Sequence, residues 1–170
     1  MSEKGGINMN NARVFTGEDV AEWMRRIVVF NGHKRNPLGV GGYCRYVDDN
    51  GDHCLVGEWL YDVVGADDEF LGNDARANVN AETVLKQAAE TFRFGYTLGA
   101  EILLSEAQKS ADSPDFGNYE AYIDTARPTA RMPWADAVRR TLLHHEKSAV
   151  NVTNNMFANG HKSVERRVLP

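Results

Sequence analysis

The chain has 170 residues, 42% hydrophobic and 25% charged, with a net charge of −5, which is typical of one globular domain. A chain of this length buries about 68–70% of its unfolded surface, so the fold requires no metal or disulfide. The first residues lack the pattern of a secretory signal, and apolar runs such as 27–30 are far shorter than the roughly 18 residues that span a bilayer. We therefore expect a cytoplasmic protein with reduced thiols and no membrane contact.

The N-terminal part predicts an arm followed by a helix. Residues 1–15 are rich in Gly, Asn and Ser without a period, which predicts a disordered arm. Thr16 and Asp19 have the spacing of a capping box, and apolar residues at helical spacing predict a helix over 17–31. We expect Gly32 to end this helix in a left-handed conformation. The loop 33–42 contains GVGG but lacks the Gly-Lys-Ser/Thr ending of a P-loop, so it does not predict a nucleotide site.

Residues 43–54 predict a β-hairpin. Asn50-Gly51 is the favoured centre of a two-residue type I′ turn, because both positions tolerate positive φ. In that register Asp48 lies opposite His53, and Val47 lies opposite Cys54. Side chains alternate along a strand, so Cys44 and His53 would share one face and Cys54 would lie on the other.

The two cysteines and His53 are the candidate reactive group. Because side chains alternate between the two faces of the predicted hairpin, the two sulfurs would lie on opposite faces. This separation argues against a disulfide, a metal site or a thiol nucleophile formed from Cys44, His53 and Cys54 together. No C-x-x-C or H-x3-H spacing supplies further zinc ligands, and the Asp48, Asn50, Asp52 spacing departs from a calcium loop. The sequence therefore predicts no metal and no cofactor, with a thiol- or metal-dependent enzyme around these residues as the alternative.

Residues 55–64 predict an amphipathic helix that ends at Gly65. Gly57 inside it makes the helix about 1 kcal/mol less stable than Ala would. The presence of Gly at this position therefore indicates a close crossing by another helix. Glu58 and Asp62 are four residues apart and are predicted on the solvent face.

Acidic residues are concentrated around this helix. Residues 48–74 contain nine Asp or Glu and no Lys or Arg, while basic residues cluster elsewhere. Such a distribution suggests pairing within the chain, contact between copies, or binding to a protein partner. The residues that we assign to partner binding are Glu58, Asp62, Asp67, Asp68 and Glu69.

Two motifs resemble a known group of proteins. Cys44-Arg45-Tyr46, the Asn50-Gly51 turn and Cys54-Leu55-Val56-Gly57 resemble small uncharacterised proteins of actinobacteria and their phages, in which a hairpin with Cys leads into a helix. Ala107-Gln108, Asp112 and 133–138 (PWADAV) are similar to the ending of that group. This chain departs from it by an insertion of about twenty residues after Asp112. The resemblance implies a small helical fold and a phage or actinobacterial origin, and it implies no chemistry.

Three more helices are predicted. Asn80 is predicted to cap a helix up to Phe92, and Thr97 to cap another after the interruption at 94–96. Pro133 suits the first turn of the last helix, whose final turn would hold His144 and His145 near the negative helix end. Residues 148–170 are polar with a charge of +2, and we predict a tail that is mobile or docks on the acidic segment.

Together these features predict a mainly α protein, a small bundle of about five helices with one short β-hairpin. Its predicted units are an arm (1–15), a single helical domain (16–147) with the hairpin at 43–54, and a tail (148–170). The leading functional hypothesis is a non-enzymatic protein-interaction module, phage-encoded and acting on a host protein, with association between copies as a further option. Direct nucleic-acid binding is disfavoured by the acidic balance, whereas acidic mimicry of nucleic acid is a second alternative.

Overall fold

The computed structural model describes residues 12–37, 45–113 and 131–159, and the side chains of the last range only to residue 147. The elements are β1 (Val14–Phe15), α1 (Gly17–Asn31), α2 (Leu55–Trp59) with a π turn (Leu60–Val64), α3 (Asp68–Leu71), a 3-10 turn (Asp74–Arg76), α4 (Ala81–Phe92), β2 (Gly95–Tyr96), α5 (Leu98–Ala111) and α6 (Trp134–Asn159). The predicted mainly α class is confirmed. In the described part of the chain no helix is both long and apolar enough to cross a membrane.

Helix α5 lies at the centre of the packing and contacts α1, α2, α4 and α6. The largest fully buried side chains come from all of these helices and include Met24, Leu55, Leu85, Leu103 and Trp134. Burial of this apolar surface supplies the main stabilising free energy of the domain.

Local caps position the helices as the sequence predicts. The Thr16 hydroxyl accepts a hydrogen bond from the Asp19 amide at 3.2 Å, and the Asp19 carboxylate accepts one from the Thr16 amide at 2.8 Å. Asn80 and Thr97 likewise accept from backbone amides at the starts of α4 and α5. The capping predictions at these three helices are confirmed.

Gly32 has a role other than the predicted one. Its φ of −60° and ψ of −23° are right-handed helical values, so the predicted left-handed conformation is wrong. A Cβ at this position would lie 2.5 Å from the Val28 carbonyl oxygen and 3.0 Å from Cβ of Ala135. Glycine is therefore needed here because α6 begins against the end of α1, where the Ala135 amide donates to the Gly32 carbonyl at 3.0 Å.

A short parallel sheet appears where no strand is predicted. Val14 pairs with Gly95 and Phe15 with Tyr96. The Phe15 ring is buried edge-on against Trp59, with ring centroids 5.2 Å apart. These two strand residues fall within the predicted arm, so the ordered chain begins earlier than residue 16; residues 1–11 of that arm lie outside the described residues.

The last helix is longer than predicted. Helix α6 continues to Asn159, so residues 148–159 extend the helix instead of starting the tail. His144 lies within α6, 3.2 Å from the Glu106 carboxylate, and the predicted position in a final turn is wrong. Residues 160–170 lie outside the described residues.

Candidate functional site: an acidic surface joined by His53

The turn that opens the acidic stretch is a three-residue loop. The Asp48 amide donates to the Asp52 carbonyl at 2.9 Å, and the Gly51 amide donates to the Asp48 carbonyl at 3.0 Å. Gly51 has a φ of 81°, whereas Asn50 is not among the residues with positive φ. A type I′ turn requires positive φ at both positions, so the predicted two-residue turn is wrong. Within residues 45–54 the hairpin has one bridge, Val47 to His53.

The longer loop shifts the register by one residue. Val47 lies opposite His53, and the Cys54 amide donates to the Tyr46 carbonyl at 3.1 Å. A shift of one residue exchanges the two faces of a strand, so the predicted pairing of Val47 with Cys54 is wrong. Cys44 and the rest of 38–44 lie outside the described residues, so the predicted separation of the two sulfurs is not described.

Cys54 is a structural cap. Its side chain is fully buried, and its sulfur accepts a hydrogen bond from the Gly57 amide at 3.3 Å. The thiol therefore occupies the N-cap position of α2, a place usually taken by an oxygen acceptor. A thiol held in this way is shielded from a substrate in solution.

His53 joins the hairpin to α2 and α3. Its Nδ1 lies 2.8 Å from a Glu58 carboxylate oxygen, and its Nε2 lies 2.8 Å from a carboxylate oxygen of Asp68. The ring also packs on Tyr61, with centroids 4.7 Å apart. Because a carboxylate occupies each nitrogen, neither is left to bind a metal or to accept a proton from a substrate.

The two carboxylates favour the charged imidazolium. The hydrogen bond to Glu58 raises the pKa of His53 above its ordinary 6.5, burial opposes the rise, and the bond to Asp68 adds to it. In return, the hydrogen bond from His53 lowers the pKa of Glu58 below its ordinary 4.5, although burial acts in the opposite direction. When His53 is protonated, the junction is a charge-assisted chain of carboxylate, imidazolium and carboxylate.

The remaining acidic side chains lie on the surface around this junction. Asp62 accepts a hydrogen bond from the Trp23 indole at 2.8 Å, and Asp67 caps α3 by accepting from the Phe70 amide at 2.8 Å. The prediction that Glu58 faces solvent is wrong, because the Glu58 side chain contacts His53 and only 17% of it is exposed. We define the acidic surface by its exposed members, Asp49, Asp52, Asp62, Asp67, Asp68 and Glu69.

Beneath the acidic surface, a buried polar network holds the start of α2. Asn36 accepts hydrogen bonds from the Leu55 amide at 2.8 Å and from the Trp134 indole at 2.9 Å, and it donates to Asp112 at 2.8 Å. Gln108 accepts from the Val56 amide at 3.1 Å. With Cys54 bound to the Gly57 amide, the first three amides of α2 are satisfied internally, so this helix start is no anion site. The sequence gives no signal for Asn36, which lies in an irregular loop.

The junction predicts a pH-dependent stability. Replacing His53 with Gln should lower the free energy of unfolding by about 2 kcal/mol near pH 5.5, because two charge-assisted bonds are lost and one of them is exposed. The raised pKa of His53 stabilises the folded state fully below pH 6.5, and this stabilisation is lost as the pH rises through the folded-state pKa. The lowered pKa of Glu58 stabilises the folded state fully above pH 4.5, and this stabilisation is lost as the pH falls through the folded-state pKa of Glu58.

Urea unfolding of the wild type and of His53→Gln between about pH 4 and pH 9 measures this difference. The difference should be largest between 4.5 and 6.5 and should shrink toward alkaline pH. His33→Gln is the matched control, since His33 is exposed and should leave the profile unchanged. A difference between His53→Gln and the wild type that stays constant over the whole range would contradict the assignment.

Among the described residues, no group of three or more His, Cys, Asp or Glu side chains could hold a metal ion. In comparisons with protein-family models, curated proteins and solved structures, no match to this chain was found.

Proposed function

We propose that the chain is a non-enzymatic protein-interaction module that presents the acidic surface to a basic segment of a protein partner. The observation that carries the proposal is the contact of His53, a hairpin residue, with Glu58 of α2 and Asp68 of α3, which holds the start of α3 against the hairpin. A surface fixed before binding loses less conformational entropy when the partner binds. Concentrated negative charge also increases the rate at which a basic partner associates.

The charge balance around the surface supports the same proposal. Arg45 contacts Asp49 and Asp74 at 3.2 and 3.4 Å. The exposed Asp52 and Glu69 form no ion pair with a described residue. Lys34 and Arg35 line one pocket with Asp52, so Glu69 is the less compensated of the two charges. Asp52 and Glu69 are the best positions to change, because neither side chain caps a helix or binds His53.

The contacts of Cys54 and His53 favour this function over a thiol- or metal-dependent enzyme. A catalytic thiol needs a base and access to substrate. The Cys54 sulfur is buried on the Gly57 amide, and both His53 nitrogens bind carboxylates. The mimicry of nucleic acid is a special case of the proposal, in which the basic partner is a DNA-binding protein.

The resemblance to small proteins of actinobacteria and their phages guides the choice of partner source. On that basis we propose that the protein acts in the cytoplasm, that of the host if it is phage-encoded. The partner is then a host protein with an exposed basic segment.

Charge reversal tests the proposal. The double variant Asp52→Lys and Glu69→Lys should weaken capture of partner proteins from an actinobacterial lysate by about tenfold or more, because attraction becomes repulsion. The matched control, Glu22→Lys with Glu90→Lys, makes the same change in net charge at exposed positions of α1 and α4 and should retain capture. Quantitative mass spectrometry of the captured proteins provides the measurement.

The dependence of partner capture on salt and on added DNA separates the alternatives. Capture by the acidic surface should fall as salt screens the charges. Competition by added DNA would identify a nucleic-acid mimic, and capture by a tagged copy of the chain itself would identify self-association. Equal capture by the wild type and by the Asp52, Glu69 double variant would overturn the proposal.

A further inference from the structure

An apolar groove runs between α1 and α6 and contains none of the residues of the acidic surface. Its volume is about 310 Å³, and eight residues line it. Five of the eight are apolar, namely Val28 of α1 and Ala135, Val138, Leu142 and Leu143 of α6. A groove with this lining is suited to the apolar side chains of another helix.

Apolar side chains along this groove are accessible to water. Leu143 of α6 is 52% exposed. Val29 of α1 is 72% exposed, and it lies one helical turn after Arg25, which lines the groove. Val28 and Leu142 are only partly buried against the core. A helix that covers this face would therefore remove apolar surface from water, which is favourable.

The charges on the groove side of α6 are arranged to match a second copy of the same helix. Arg139 and Glu146 both line the groove, seven residues apart and so on one face of α6. Glu146 forms no ion pair with a described residue, and Arg139 is 71% exposed although it contacts Asp136 of its own helix. In two antiparallel copies related by a two-fold axis between residues 142 and 143, Arg139 of each copy would lie opposite Glu146 of the other.

The same axis would place Leu142 of one copy against Leu143 of the other. Because α6 runs from Trp134 to Asn159, the two copies would overlap over about 18 residues, or about 27 Å. A parallel pair in register would instead place Arg139 opposite Arg139 and Glu146 opposite Glu146. The charges therefore favour the antiparallel arrangement.

We propose that this groove binds α6 of a second copy of the chain, so that the protein forms an antiparallel two-fold dimer through α1 and α6. Every contact occurs twice in such a dimer, because both copies use the same surface. Burial of Leu143 supplies attraction, and the Arg139 and Glu146 pairs fix the direction and register of the two helices. This inference is independent of the acidic surface, because the groove uses none of its residues.

Sedimentation equilibrium of the 170-residue chain at increasing concentration tests the dimer. The mass should rise from 19.0 kDa to twice that value. Leu143→Glu should raise the dimer dissociation constant about tenfold or more, because it places a carboxylate against Leu142 of the other copy. Ile102→Glu is the matched control, since Ile102 is a 42% exposed residue of α5 outside the groove. It should leave the dissociation constant unchanged.

Exchange of the two charges tests the register and gives a second test if Leu143→Glu unfolds the protein. Arg139→Glu and Glu146→Arg should each weaken the dimer about fivefold or more, because each creates two pairs of like charges. The double variant Arg139→Glu with Glu146→Arg should restore the dimer, since opposite charges meet again. An equimolar mixture of the two single variants should also dimerise, for the same reason.

The double variant Asp52→Lys with Glu69→Lys should dimerise like the wild type, which separates this contact from self-association through the acidic surface. A wild type that stays monomeric at every concentration would overturn the proposal and assign the groove to another occupant, either residues 160–170 of the same chain or a different protein. Equal weakening by Leu143→Glu and Ile102→Glu would also overturn it. Single charge variants that dimerise like the wild type would contradict the antiparallel register.

Discussion

Asn36→Ala should lower the free energy of unfolding by about 4 kcal/mol, because it leaves several buried polar groups without partners. The carboxamide oxygen accepts from the Leu55 amide and the Trp134 indole, and its nitrogen donates to Asp112. An alanine side chain replaces none of these bonds. The loss corresponds to a Tm about 8–16 °C lower for a chain of this size.

Differential scanning calorimetry or urea unfolding measures this effect. Asn31→Ala is the matched control, since the Asn31 side chain makes no hydrogen bond with the described residues, and it should change the Tm little. Asn36→Asp should also be destabilising, because it removes the donor to Asp112 and places a second carboxylate beside it. A Tm for Asn36→Ala equal to that of Asn31→Ala would contradict a structural role for the network.

Gly57→Ala should lower the free energy of unfolding by about 3 kcal/mol or more, because there is no space for the added carbon. A Cβ at this position would lie 2.0 Å from the Tyr46 carbonyl oxygen. That oxygen accepts the Cys54 amide, so it cannot move away without breaking the contact that joins the hairpin to α2. The expected decrease in Tm is about 6–12 °C.

Gly99→Ala provides the control for this prediction. Gly99 is also helical, but a Cβ there would meet its nearest atom at 3.7 Å, an ordinary contact. Alanine favours the helix over glycine by about 1 kcal/mol, so Gly99→Ala should leave the Tm unchanged or raise it. Equal stability of Gly57→Ala and the wild type would show that the Tyr46 segment can move and would contradict the close packing.

The acidic surface was predictable in part. Its acids stand in one run of the sequence, so their concentration needed no structure. The His53 junction was not predictable, because the expected two-residue turn placed His53 opposite Asp48 instead of Val47. A single extra residue in the loop decides which side chains His53 can reach, and sequence patterns do not resolve that difference.

The sequence by itself determined the helical class, the cap residues at α1, α4 and α5, and the end of the π turn at Gly65, whose φ is 82°. These features depend on contacts within a few residues, so local patterns contain them. Only the tertiary structure decided the contacts of Asn36 and the parallel pairing of β1 with β2. Their partners lie far apart in the chain, and only the packing of the helices around α5 brings them together.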